Sequence, residues 1–185
     1  GTAVSIAFLP RYHFRHNIVT AASLRRAGFN PVPHIAAREM SSREMLDDFL
    51  ACARRGADVR RVVLIAGDVA AAKGPFRSSQ DVAATGLIEA NGIASVCVAG
   101  YPEGHPWLDR GPAFDALAAW RDWAARSGVR VEIVTQFCFE SAPIRQKVMM
   151  SCGSMHACTP PTSATSDLPS SRLFTPWLTA TSDDA

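Results

Sequence analysis

The chain has 185 residues, 48% of them hydrophobic and 19% charged, with a formal net charge of +2. That length suits one domain with a buried core, and the composition excludes a disordered chain. Basic residues (17 Arg, 2 Lys) are interspersed with 17 acids, so no basic surface argues for a nucleic-acid partner.

No apolar run approaches the roughly 18 residues of a membrane span. The opening GTAVSIAFLPRYHF has neither the basic start nor the cleavage pattern of a secretion signal. Five cysteines without framework spacing point to a reducing, cytoplasmic setting. Cys52, Cys97 and Cys138 sit singly in predicted elements and read as small buried hydrophobes.

VSIAFL from Val4 is the first of five apolar, β-branched segments. NIVTAASLRRAG follows as a helix ending on Gly28, which suits a C-cap. FNPVPHI from Phe29 is the second strand. SSREMLDDFLACARRG is the second helix, capped by Ser41 or Ser42 and stopped at Gly56. VVLIAG from Val62 and the helix SSQDVAATGLIEANG, ending at Gly92, come next. ASVCVAG from Ala94, the helix GPAFDALAAWRDWAARSG ending at Gly128, and VEIVTQF from Val131 complete the series. The strands are apolar nearly throughout, as strands buried on both faces are.

Strand starts fall about 25 to 37 residues apart, the spacing of βαβ units. Repeated units of this kind build a parallel sheet, either a closed barrel or an open doubly wound sheet. No G-x-G-x-x-G follows the first strand, which weakens the dinucleotide-binding version. Polar residues gather instead at the C-terminal ends of successive strands: His34, Asp68, Tyr101 with His105, and Gln136. A (β/α)8 barrel places its active site at that face, so the expected fold class is α/β, a (β/α)8 barrel. About five of its eight units are present. Residues 1–144 carry the partial barrel. Residues 145–185, rich in Ser, Thr and Pro, lose the periodicity; a natural low-complexity tail is one explanation, and a frameshift or truncation near Ile144 is the favoured one. Five units alone would leave both sheet edges unpaired. Within the tail, Cys152, His156 and Cys158 lack a fourth ligand, so no metal site is expected.

Three segments carry chemistry. In AGYPEGHP, a strand runs into a polar, aromatic loop that sets Tyr101, Glu103 and His105 at its tip, and a Pro-fixed turn with an exposed His is the plain alternative. In LIAGDVAAAKGPFRSSQDV, a strand ends on Ala66, Gly67 and Asp68, and a loop leads to a helix start at Ser78 or Ser79. Helix N-termini bind phosphate, yet both serines serve equally as plain N-caps, and Asp68 can simply satisfy loop N–H groups. In VEIVTQFCFE, Gln136 offers donors and acceptors to a planar heterocycle, whereas Phe137 and Phe139 read as core.

PHIAAR, LIAGD, GPFRSSQDV, AGYPEGHP and TQFCFE, in that order over residues 4 to 144, resemble the methylenetetrahydrofolate reductase family. The resemblance implies a flavoprotein oxidoreductase of one-carbon metabolism and methionine biosynthesis. FAD would take a hydride from NADH or NADPH and pass it, in a ping-pong cycle, to 5,10-methylenetetrahydrofolate, giving 5-methyltetrahydrofolate. It further implies that His34, Ala66, Gly67, Asp68, Ser78, Ser79, Tyr101, His105 and Arg121 contact FAD. Asp68 would also tune the flavin and face the folate, and Gln136 would touch folate and nicotinamide in turn.

The chain departs from the family in places. The general acid Glu lies on the family's first strand, which has no counterpart here, and Ala7 stands where a Thr is usual. The folate substrate is the implied partner, with no nucleic acid and no membrane, and a homo-oligomer stays open. Two other readings survive the sequence. One is a flavin-free barrel enzyme using Asp68 and His105 as acid and base on a phosphate-bearing ligand. The other is an inactive barrel fragment.

Overall fold

A computed structural model describes residues 1–9, 13–100, 110–135 and 179–180; at 110–115, 135 and 179–180 it describes the backbone alone. The strands are β1 (Ala3–Ile6), β2 (Asn30–Ala36), β3 (Arg61–Ile65), β4 (Ser95–Gly100) and β5 (Arg130–Thr135). The helices between them are α1 (Arg15–Arg26), α2 (Arg43–Ala57), α3 (Ser79–Ala83), α4 (Leu87–Ala90) and α5 (Arg110–Ser127). Each strand pairs in parallel with the next, in the order β1-β2-β3-β4-β5. The fold is therefore α/β, with strands and helices alternating along a five-stranded parallel sheet.

Sequential order has a consequence for layering. Right-handed crossovers that all step in one direction lay every helix on one face of the sheet. The packing agrees. Ala21 of α1, Phe49 of α2, Val82 of α3, Ile88 of α4 and Trp120 of α5 share one buried cluster with Ile35, Val62, Leu64, Val96 and Val98. Each large apolar side chain buried there contributes about 1.5–3 kcal/mol. Alternate strand residues Val32, Val63 and Cys97 form a second, smaller cluster. These face the other way, because side chains alternate along a strand. A doubly wound sheet would carry helices on both faces; among the described residues they pack into one layer.

Several element ends differ from the sequence expectation. The predicted stop at Gly56 is passed: α2 runs to Ala57, and Asp58 takes the left-handed conformation at φ 43°. Asp tolerates that region, and its carboxylate is paired with Arg54 and Arg60. Ser42, rather than Ser41, caps α2, its hydroxyl accepting the Met45 N–H. The single helix expected from Ser78 to Gly92 is two, α3 and α4. Gly86, at φ 73°, breaks the run, and the Thr85 hydroxyl donates to Val82 O and accepts from Leu87 N–H. Gly28 and Gly128 end their helices as expected, both at positive φ.

The strands are not apolar throughout. Only Ile6 of β1 is buried, and β4 and β5 bury Ser95 and Glu132. The sheet also continues past β5. A two-residue strand β6 (Thr179–Ala180) pairs antiparallel with Val134 and Ile133, so that edge is not bare as expected.

Candidate functional site

The site is built from the C-terminal ends of β2 and β3. His34 lies two residues inside the end of β2, in line across the sheet with Val63, Cys97 and Glu132. All four side chains therefore share the face away from the helices. His34 Nε2 is 3.1 Å from Ser5 Oγ on β1. Burial lowers the imidazole's pKa, so at neutral pH the ring is uncharged, one nitrogen donating and the other accepting.

β3 ends at Ile65, one residue before the predicted tip. Ala66 and Asp68 are exposed beyond it, and Gly67 stands between them at φ 92°. That conformation strains any residue with a Cβ, and a Cβ here would also stand 3.3 Å from Ala36 Cβ. The backbone is thus left open at the strand tip, next to an exposed carboxylate.

From there the loop crosses a one-turn 3-10 helix, Ala37–Glu39, that follows β2. Arg38 N–H donates to Ala66 O at 2.9 Å, and Lys73 N–H donates to Arg38 O at 2.8 Å. The Arg38 guanidinium donates to Val69 O and Arg77 O. Lys73 Nζ lies 2.5 Å from the buried Glu39 carboxylate. Gly74 passes so close to the β2–α2 connection that a Cβ would come within 2.3 Å of Ser41 O.

Ser78 is the N-cap of α3. Its hydroxyl accepts from Asp81 N–H while the Asp81 carboxylate accepts from Ser78 N–H, a reciprocal capping box. Ser78 is thus an N-cap through its oxygen, a role that leaves its O–H able to donate. Ser79 begins the helix, with its hydroxyl 3.3 Å from Gln80 Oε1. Arg121 sits on α5, exposed and paired with Asp122. No described contact joins it to His34 or Asp68. Tyr101, His105 and Gln136 lie outside the described residues, as do Cys138 and the cluster of Cys152, His156 and Cys158. The structure thus places His34 and the Ala66–Gly67–Asp68 tip on adjacent strands but not in contact: His34 lies opposite Val63, and Arg38 is the residue that meets the tip.

One polar constellation escaped the sequence reading. Glu132, fully buried, accepts from Arg61 Nη2 at 2.7 Å and from Ser95 Oγ at 2.8 Å. The Cys97 thiol lies 3.8 Å from its other oxygen. Burial, reinforced by the nearby Glu132 charge, pushes that thiol up to about 12, so it stays protonated and inert. The signal was present: an acid inside an apolar strand needs a partner, and Arg61 opens the strand two places away. Cys97 is buried as expected; Cys52 is only half-buried.

No protein-family model matches the chain. Among the described residues, no helix is long and apolar enough to cross a membrane, and no group of three or more His, Cys, Asp or Glu could hold a metal ion.

Proposed function

We propose that residues 1–144 form part of a (β/α)8 barrel that binds FAD and acts as a methylenetetrahydrofolate reductase. The observation that carries this reading is the sequential parallel order of β1 to β5 over one helical layer. His34 and the Ala66–Gly67–Asp68 tip then fall in the C-terminal halves of adjacent strands, His34 three residues below Ala66 in register. Barrels advance in this order and build their sites at this end.

The residues present fit a flavin. Ala66 and Gly67 present nothing larger than a methyl group, and the positive φ of Gly67 leaves its N–H and C=O free of a side chain. A planar ring can approach such a backbone closely. His34, neutral through burial, can donate or accept at one edge without adding charge. The exposed Asp68 carboxylate would stand beside the ring and oppose a second negative charge there, while favouring a cationic folate. FAD, when bound, would supply the hydride relay between NADH or NADPH and 5,10-methylenetetrahydrofolate. Ser79, Tyr101, His105 and Arg121 are the further contacts the resemblance implies, with Gln136 on the folate. Ser78 is a further implied contact: its oxygen caps α3 by accepting from Asp81 N–H, and its own O–H can still donate to the cofactor.

The test is an absorbance titration of the purified chain with FAD, followed by anaerobic reduction with NADH and NADPH. A bound-flavin spectrum that bleaches with one nicotinamide upholds the reading. A folded chain that stays colourless in excess FAD refutes it.

A further inference from the structure

The loop carrying Asp68 is held in a way that its own sequence does not explain. Residues 66 to 78 contain no helix or strand, yet they are tied to the Ala37–Glu39 turn from both ends. Backbone bonds join Arg38 N–H to Ala66 O and Lys73 N–H to Arg38 O. One guanidinium then spans the loop: Arg38 Nη1 reaches Val69 O at 3.3 Å and Nε reaches Arg77 O at 2.9 Å. Lys73 adds an ion pair to Glu39. Among the described residues the second oxygen of Glu39 has no hydrogen-bond partner, so Lys73 is the main compensation for a buried carboxylate. A buried charge served by one partner disfavours any displacement of that partner. Gly74 lets the two backbones touch.

We propose that Arg38 and Glu39 are positioning residues that clasp loop 66–78 in its ligand-binding shape before any ligand arrives. The proposal rests on the flavin reading above. A loop ordered in advance spares the ligand the entropy of ordering it, so affinity depends on residues that never touch the ligand. Arg38 is suited to the task because its planar fork reaches two carbonyls at once; a lysine ammonium at the same place can serve one. Neither side chain needs to approach the flavin, because the effect passes through the positions of Ala66, Gly67 and Asp68.

The test uses the full chain and its Arg38→Met, Arg38→Lys and Glu39→Gln variants. Backbone amide exchange is followed without ligand, and FAD affinity by quenching of flavin fluorescence. In the wild type the Lys73 amide exchanges slowly. Arg38→Met speeds it, keeps cooperative unfolding, and weakens FAD binding about tenfold, with Arg38→Lys intermediate. Glu39→Gln, which keeps a hydrogen bond and loses the ion pair, weakens binding about threefold. Fast Lys73 exchange in the wild type overturns the proposal, and so does Arg38→Met binding FAD as the wild type does. Should the wild type bind no FAD, the flavin reading falls and exchange alone decides the clasp. Protection lost in Arg38→Met then upholds it, and equal exchange in both chains overturns it.

Discussion

The two ends of the parallel sheet are built on different principles. At the N-terminal end, Arg61 and Ser95 open their strands and converge on Glu132, a buried carboxylate with both neighbours in hydrogen-bond range. At the C-terminal end, Asp68 is exposed, Gly67 holds a conformation few residues accept, and Glu39 keeps one oxygen unpartnered. A satisfied buried network specifies one arrangement of strands. An incompletely satisfied, open edge is what a ligand needs. On the proposed reading, stability belongs to one end and binding to the other, the division that a parallel barrel makes.

The largest effect should come from the N-terminal end. Arg61→Met removes the cation from a fully buried Glu132 and should cost about 3–5 kcal/mol of unfolding free energy in urea. FAD affinity of the folded fraction should stay unchanged; a loss of affinity equal to that of the site variants would erase the distinction between the ends. Glu132→Gln is milder, at about 1–2 kcal/mol, because Arg61 is one-third exposed and can turn to water. Next in size is Gly67→Ala, with about 1–2 kcal/mol of backbone strain and FAD binding reduced far more than stability implies. Should Gly67→Ala bind FAD normally, the open strand tip is not the flavin's seat.

Smaller effects sharpen the picture. Ser78→Ala removes the α3 cap for about 1 kcal/mol, and little change in FAD affinity would show that its O–H makes no direct contact. A large affinity loss would keep Ser78 among the direct contacts. The smallest effect concerns His34. Its folded-state pKa lies below the ordinary value of about 6.5 because burial disfavours the charged ring. The unfolded chain therefore takes up that proton first. Stability is retained above about 6.5 and declines as pH falls from there through the folded pKa. Thermal melts between neutral and mildly acidic pH should show this slope, and His34→Gln should flatten it.

Much of the fold was legible in the chain because βα periodicity is written locally. Five apolar segments became five strands, and Gly28 and Gly128 ended helices where their left-handed conformation was expected. Failures at helix ends came where a neighbouring side chain outweighed the glycine signal. Gly56 was passed because Asp58 could take the cap with Arg54 and Arg60 around it. The Ser78–Gly92 helix split because Gly86 turned left-handed and Thr85 bonded the backbone on both sides. For the site, the polar residues at strand ends were visible, but Arg38 read only as part of a motif. Its grip on Val69 and Arg77, more than 30 positions away, exists only after folding.

By itself, then, the sequence determined the alternation of strands and helices and the parallel sheet. Each of these follows from periodicity, capping and crossover handedness, which act over one unit at a time. Tertiary structure alone decided that the helices form one layer, that Glu132 is buried against Arg61, and that Arg38 and Glu39 hold the Asp68 loop. The reason is physical. Solvation of a charge depends on which strands and loops surround it, and that is settled only when segments far apart in the chain have packed together.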